Sequence, residues 1–152
     1  MNINTSFRRE QNPNKKDNFT VIELEEGLRL NPQFAKRGGL LPVAVQETST
    51  GQLLMLASIN EEALEKTLET KLATFWSTSR NALWTKGETS GDLLKIDRIL
   101  IDCDQDALVY QVTLMGGGVC HTYDLQGNHR KACFYGELNV EQNGLKFLED
   151  MR

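Results

Sequence analysis

The densest chemistry in the chain lies in Asp102-Cys103-Asp104-Gln105-Asp106, where three carboxylates fall within five residues. Carboxylates so close repel one another and are costly to ionise together unless a cation or solvent intervenes. On an extended strand, residues 102, 104 and 106 share one face and Cys103 points to the other. Hard oxygens on one side suit Mg²⁺, and a soft thiolate on the other suits Zn²⁺. An EF-hand loop does not fit, because its sixth position would be Ala107 and its twelfth Thr113, where Gly and Glu are needed. For the aspartates alone, the plain alternative is a solvated acidic strand end.

Two further cysteines follow. Cys120-His121 comes directly after Gly116-Gly117-Gly118 and Val119, and Cys133 lies thirteen residues beyond Cys120. A single cysteine is most often a small core residue. Three of them beside an acidic cluster, a histidine and a glycine run point to metal binding. Steps of 17 and 13 match no zinc-finger pattern, in which ligands come as tight CxxC pairs. Three thiolates leave one tetrahedral position open, as in a catalytic zinc site with its acidified water. A second polar segment, Lys86-Gly87-Glu88-Thr89-Ser90-Gly91, combines a cation, two hydroxyls and two glycines, which suits a phosphate or sugar. It lacks the P-loop order, and a surface turn is its ordinary reading.

These residues must be positioned by a mainly β framework. PVAVQET (42–48) and QLLMLAS (52–58), separated by Ser49-Thr50-Gly51, predict a hairpin. Asn60 caps a short amphipathic helix, EEALEKTLET, with Ala63, Leu64 and Leu68 on one face. KLATFWSTS (71–79) and NALWTKG (81–87) predict two more strands turning near Arg80-Asn81. LKIDRILIDCD (94–104) and ALVYQVTLM (107–115) continue the pattern, and the glycine run after them permits positive φ and close backbone approach. VEQNGLKFLEDMR is expected to form a terminal helical turn. The fold class is therefore α+β, a mainly antiparallel β-sheet with one or two packed helices. Residues 1–18 are polar and form a flexible N-terminal arm; residues 19–152 form one domain.

Composition narrows the function classes. The chain has 152 residues, 39% hydrophobic and 25% charged, with a net charge of −4. One domain is the expectation from this length. An acidic balance excludes a general nucleic-acid or anionic-membrane binder. The longest apolar stretches, such as 40–45, fall far short of the ~18 residues of a membrane span. No apolar signal region opens the chain, so a soluble cytoplasmic protein is expected. Three cysteines, an odd number, argue against a disulfide scaffold.

Over residues 39–135 the chain resembles the phosphoribosyl-AMP cyclohydrolase family. The resemblance is carried by GLLPVAVQ, MLASINEEALEKTLET, FWSTSRNALWTKGETSG, IDCDQDAL, VCHT and ACFY. It implies that Asp102, Asp104 and Asp106 bind Mg²⁺. It also implies that Cys103, Cys120 and Cys133 bind Zn²⁺ in a site shared across an intertwined homodimer. The substrate would be a small-molecule nucleotide, adenine carrying phosphoribose on N1. Zinc-bound hydroxide would add to C6 and the C6–N1 bond would break in a step of histidine biosynthesis, related to zinc deaminase chemistry. His121 is the acid/base candidate, and Lys86, Gly87, Glu88, Thr89, Ser90 and Gly91 are substrate-binding candidates.

One segment departs from the family. Its usual CHTGxxSCF places the cysteines seven apart, whereas here Tyr123 replaces the Gly, Ala132 replaces the Ser, and residues 123–132 form a longer loop. Gly127-Asn128 suggests a turn at its tip. Arg130 and Lys131 are candidates for a substrate phosphate, against the alternative of a solvated loop. Two other functions stay open: a zinc hydrolase acting on a different modified purine nucleotide, or a non-catalytic zinc-stabilised module with His129 as fourth ligand.

Overall fold

A computed structural model describes residues 20–152, so the expected N-terminal arm lies outside the described residues. Eight strands form: β1 (Leu41–Glu47), β2 (Leu53–Ile59), β3 (Thr74–Ser77), β4 (Ala82–Thr85), β5 (Leu94–Ile101), β6 (Leu108–Leu114), β7 (Gly136–Asn139) and β8 (Gly144–Phe147). The helices are α1 (Val21–Glu26) and α2 (Glu61–Thr70), with 3₁₀ turns at Phe34–Arg37 and Glu149–Met151. No helix among the described residues is long and apolar enough to cross a membrane.

The six longer-range strands order as β4-β3-β2-β1-β6-β5. Four of the five neighbouring pairs are antiparallel and β1/β6 is parallel, so the sheet is mixed. Alternation puts Val43, Val45, Tyr110 and Val112 on one face, all fully buried. Ala63, Leu64 and Thr67 of α2 join the same core. The expected cap is present: the Asn60 side chain accepts from the Ala63 amide at 2.8 Å. Buried Thr67 ties the helix to the sheet, its hydroxyl donating to Ala63 O at 2.8 Å and accepting from the Thr74 amide at 3.1 Å. Lys71 ends the helix in the left-handed region at φ 61°.

Two expectations are corrected. The C-terminal stretch is not helical over its length; residues 136–147 form the β7/β8 hairpin, and only Glu149–Met151 makes a helical turn. The Asn143-Gly144 pair is a hairpin signal, with Asn143 at φ 51°, and it prevails over a segment that has no helical apolar stripe. The strand expected to run to Asp104 stops at Ile101. Asp102 begins a turn instead, its amide donating to Ala107 O at 3.1 Å and its carbonyl accepting from the Gln105 amide at 3.2 Å.

Candidate active site

The three aspartates converge, though not for the reason the strand pattern suggests. Their carboxylate oxygens lie within 4.8 Å of one another because the chain turns at 102–106, not because it alternates. Asp102 Oδ1 shapes the turn by accepting from the amides of Asp106 and Ala107, at 2.9 and 3.1 Å. Gln105 takes the left-handed φ of 55°. Its buried side chain accepts from the Asn31 amide at 2.7 Å and donates to Arg29 O at 3.1 Å. This clamps the N-terminal segment to the acidic turn. Two cations arrive with that segment: Lys36 Nζ lies 2.6 Å from Asp104 and 2.8 Å from Asp106, and Arg37 lies 3.1 Å from Asp106. Hydrogen bonding to Lys36 chiefly, and then the Arg37 charge, hold the Asp106 pKa below the ordinary carboxylate value. Neither cation carried any motif that marked it from sequence.

The cysteines divide into a pair and a singleton. Cys120 and Cys133 lie close enough to perturb each other's ionisation, and the Cys120 sulfur lies 3.0 Å from Thr122 Oγ1. Burial of the Cys133 sulfur and the charge of Cys120 push the Cys133 pKa up to about 11, while Lys86 nearby works the other way. Burial opposes ionisation of Cys120 as well, yet hydrogen bonds from Thr122 and Cys133 and the charge of Arg130 leave its pKa lowered. The two shifts run in opposite directions, so Cys120 is the more readily ionised thiol of the pair. Cys103 is exposed on the acidic turn. Among the described residues the only three-ligand cluster within one chain is the aspartate trio, so Cys103 does not converge with the other two. His121, beside the pair, is exposed.

The glycine run works by close approach, without positive φ. A Cβ on Gly116 would lie 2.2 Å from Asp92 Oδ1, and one on Gly118 would lie 2.4 Å from His129 O. Asp92 accepts from the Gly117 amide at 3.0 Å, and its other oxygen lies 4.0 Å from His129 Nε2. His129 Nδ1 donates to Cys120 O at 2.9 Å, and its ring packs at a tilt of 31° against Tyr123 with centroids 4.4 Å apart. Through Nδ1, His129 braces the backbone of Cys120, and among the described residues it joins no three-ligand cluster with the thiols. Asp124 builds the expected turn at the loop tip by accepting from the amides of Gln126 and Asn128.

Arg130 and Lys131 have partners within the chain. Arg130 Nε donates to Met151 O at 2.8 Å, and its guanidinium lies over Tyr135 and Phe147, 4.3 and 5.3 Å from the ring centroids. Lys131 pairs with Glu47 at 2.5 Å. Residues 86–91 form a compact turn in which Gly91 N donates to Gly87 O at 2.8 Å, and Glu88, Thr89 and Ser90 are exposed.

A cleft of about 390 Å³ opens between β2 and β3, lined by residues that include Trp76, Ser77, Thr78, Ser79, Arg80 and Trp84. In the sequence this stretch reads as strands, a turn and part of the family resemblance, with no binding role for residues 76–80. The signal available was two tryptophans bracketing a run of hydroxyls and an arginine.

Comparison with known proteins identifies the chain's relatives. The family model described as phosphoribosyl-AMP cyclohydrolase matches residues 55–135, more than half of the chain. A phosphoribosyl-AMP cyclohydrolase of Desulfatibacillum aliphaticivorans is 51% identical over 102 residues, covering 67% of this chain and 77% of the relative. Those of Chelativorans sp. and Hyphomonas neptunium are 47% and 48% identical, over 78% and 75% of this chain and 81% of each relative.

Proposed function

The chain belongs to the phosphoribosyl-AMP cyclohydrolase family, the ring-opening hydrolases of histidine biosynthesis, and from that premise we propose how its own residues carry the reaction. The substrate is adenine alkylated on N1 by phosphoribose. A water oxygen bonds to C6, the C6–N1 bond breaks, and the departing N1 takes a proton. The observation that carries the reading is the division of the cysteines: a convergent Cys120/Cys133 pair, with Cys103 outside it on the acidic turn.

Three thiolates suit zinc with an open fourth position, and one chain supplies only two of them together. A homodimer in which Cys103 of one subunit meets the pair of the other completes that donor set. Support for a dimer comes from the sheet face opposite α2. Leu56, Ala44, Val109 and Leu100 form one continuous row across β2-β1-β6-β5, with Leu56 59% and Leu100 37% exposed. An apolar row of this kind is typical of a face that another surface covers. Zinc held by the three thiols would supply Lewis acidity for activating a water nucleophile.

The chain's own groups then have distinct tasks. His121, adjacent to Cys120 and open to solvent, exchanges a proton with the departing ring nitrogen. Lys86 places positive charge beside Cys133 and favours its thiolate. Asp102, Asp104 and Asp106 offer the hard oxygens that Mg²⁺ requires, and the metal would compete there with Lys36. Arg130 and Lys131, with their partners on Met151 and Glu47, hold the 123–132 loop that joins the two cysteines.

Ring opening of phosphoribosyl-AMP, followed spectroscopically beside zinc analysis, tests the proposal. Cys120→Ser should abolish both stoichiometric zinc and turnover. Full zinc with unchanged turnover in that variant would overturn the assignment.

A further inference from the structure

We propose that the turn Ser77-Thr78-Ser79-Arg80, with Trp76 and Trp84, is a binding site for a phosphate monoester of the nucleotide substrate. The inference rests on the ring-opening reading and names a part of its site. It begins with the way the sheet opens. β2 and β3 pair only at Ser58↔Trp76, and beyond that point the strands diverge. A strand edge left unpaired in this way exposes backbone polar groups that need partners. The edge of β2 that β3 abandons is taken up again at Leu54, whose carbonyl accepts from the Cys133 amide at 2.8 Å. Leu56 lies between these two points and lines the cleft. Two residues of strand span about 7 Å. The near edge of the cleft at Leu56 is therefore two strand residues from the backbone contact of Cys133, and its far end is the β3–β4 turn.

The chemistry of the far end suits an anion. Hydroxyls of Ser77, Thr78 and Ser79 and the guanidinium of Arg80 line it. Ser77 Oγ organises the turn, accepting from Arg80 N at 3.3 Å and from Arg80 Nε at 3.4 Å. The remaining guanidinium donors have no carboxylate partner among the described residues, unlike Lys36, Arg37 and Lys131. Arg80 lies 6.0 Å from the Trp84 ring centroid, which steers it across the cleft. A planar fork of donors beside three hydroxyls matches phosphate oxygens. Cationic candidates 130–131 are already engaged elsewhere, which leaves Arg80 as the better-placed anion partner.

Trp76 and Trp84 are the only tryptophans in the sequence, so intrinsic fluorescence reports on this cleft alone. The dimeric, zinc-loaded protein is titrated with AMP and with adenosine. AMP should change the emission and bind at least tenfold more tightly than adenosine. Arg80→Gln should weaken AMP roughly 10–100-fold, the scale of a lost charge-assisted contact. Adenosine binding and zinc content should be unchanged, and Arg80→Lys should recover part of the loss. With phosphoribosyl-AMP, Arg80→Gln should raise KM by a similar factor while kcat changes less. An AMP affinity equal to that of adenosine, or no AMP response in the wild-type protein, overturns the proposal. So does an unchanged KM in Arg80→Gln. The ring-opening reading fails separately, if the wild-type protein does not turn over phosphoribosyl-AMP.

Discussion

Gly87 and Gly91 bound the polar turn 86–91 and make a controlled pair. Both sit at left-handed backbone angles, φ 80° and 85°. A Cβ on Gly91 meets nothing within 4 Å, whereas one on Gly87 would lie 2.1–2.3 Å from Asp92 C and O and Leu93 N. Gly91→Ala therefore incurs only the left-handed cost of about 1–2 kcal/mol, partly offset by a less flexible unfolded chain, roughly 0.4–1 kcal/mol. A net loss of about 1 kcal/mol corresponds to roughly 2–4 °C in Tm for a domain of this size. Gly87→Ala incurs the same cost and a steric one. The atoms it meets are main chain and cannot rotate away, and carbon contacts need about 3.5–4 Å. Overpacking adds about 1–3 kcal/mol, so its total should be about 2–4 kcal/mol. The displaced residue is Asp92, which accepts from the Gly117 amide and faces His129 behind the cysteine pair. Turnover should therefore fall in Gly87→Ala well below its Tm and hold in Gly91→Ala. Urea unfolding at fixed protein and zinc concentration, beside a turnover assay at 25 °C, reads both effects. Equal stability losses in the two variants would refute the close-approach reasoning.

Asp104→Asn should weaken Mg²⁺ binding and Lys36→Met should tighten it, because Lys36 occupies the same oxygens. Calorimetric titration with Mg²⁺ reads this, zinc content should hold in both, and weaker binding in Lys36→Met would exclude competition. His121→Ala should lower turnover by roughly 10²–10⁴, the scale of a lost general acid or base, with zinc retained on metal analysis. A loss below tenfold would remove His121 from proton transfer. Asp97 has its pKa lowered by the hydroxyls of Thr48 and Thr113, which donate at 2.6 and 2.7 Å. A depressed carboxylate stabilises the fold above its unfolded pKa and loses that contribution as pH falls through the folded value. The urea midpoint should therefore drop between about pH 5 and pH 3, and less steeply in Asp97→Asn; parallel pH curves would count against it.

Sequence by itself determined the local elements, because each rests on near-neighbour physics. Asn60 before two glutamates and an apolar face specified α2, and alternating runs about Ser49-Thr50-Gly51 and Arg80-Asn81 specified both hairpins. The same reasoning identified the three cysteines and three aspartates as the residues of interest, since their types alone limit their chemistry. It failed where two local signals competed. In the C-terminal stretch, Asn143-Gly144 prevailed over the helix-forming residues around it, and at 102–106 the side-chain acceptor of Asp102 turned a chain that apolar alternation would have extended.

Tertiary structure alone decided which of those residues meet. Lys36 reaches Asp104 across 68 positions because the Gln105 side chain binds the N-terminal segment to the acidic turn. Cys120 and Cys133 pair because the intervening loop folds back, with Arg130 N donating to Thr122 O and Cys120 N donating to Arg130 O. Cys103, two residues past the end of β5, stays apart from them. The cleft exists because β3 leaves β2 after one paired position while Cys133 takes the vacated edge. Contacts of this kind join residues far apart in the chain through hydrogen bonds that any amide or carbonyl can make. Residue type and spacing therefore carry almost no record of them.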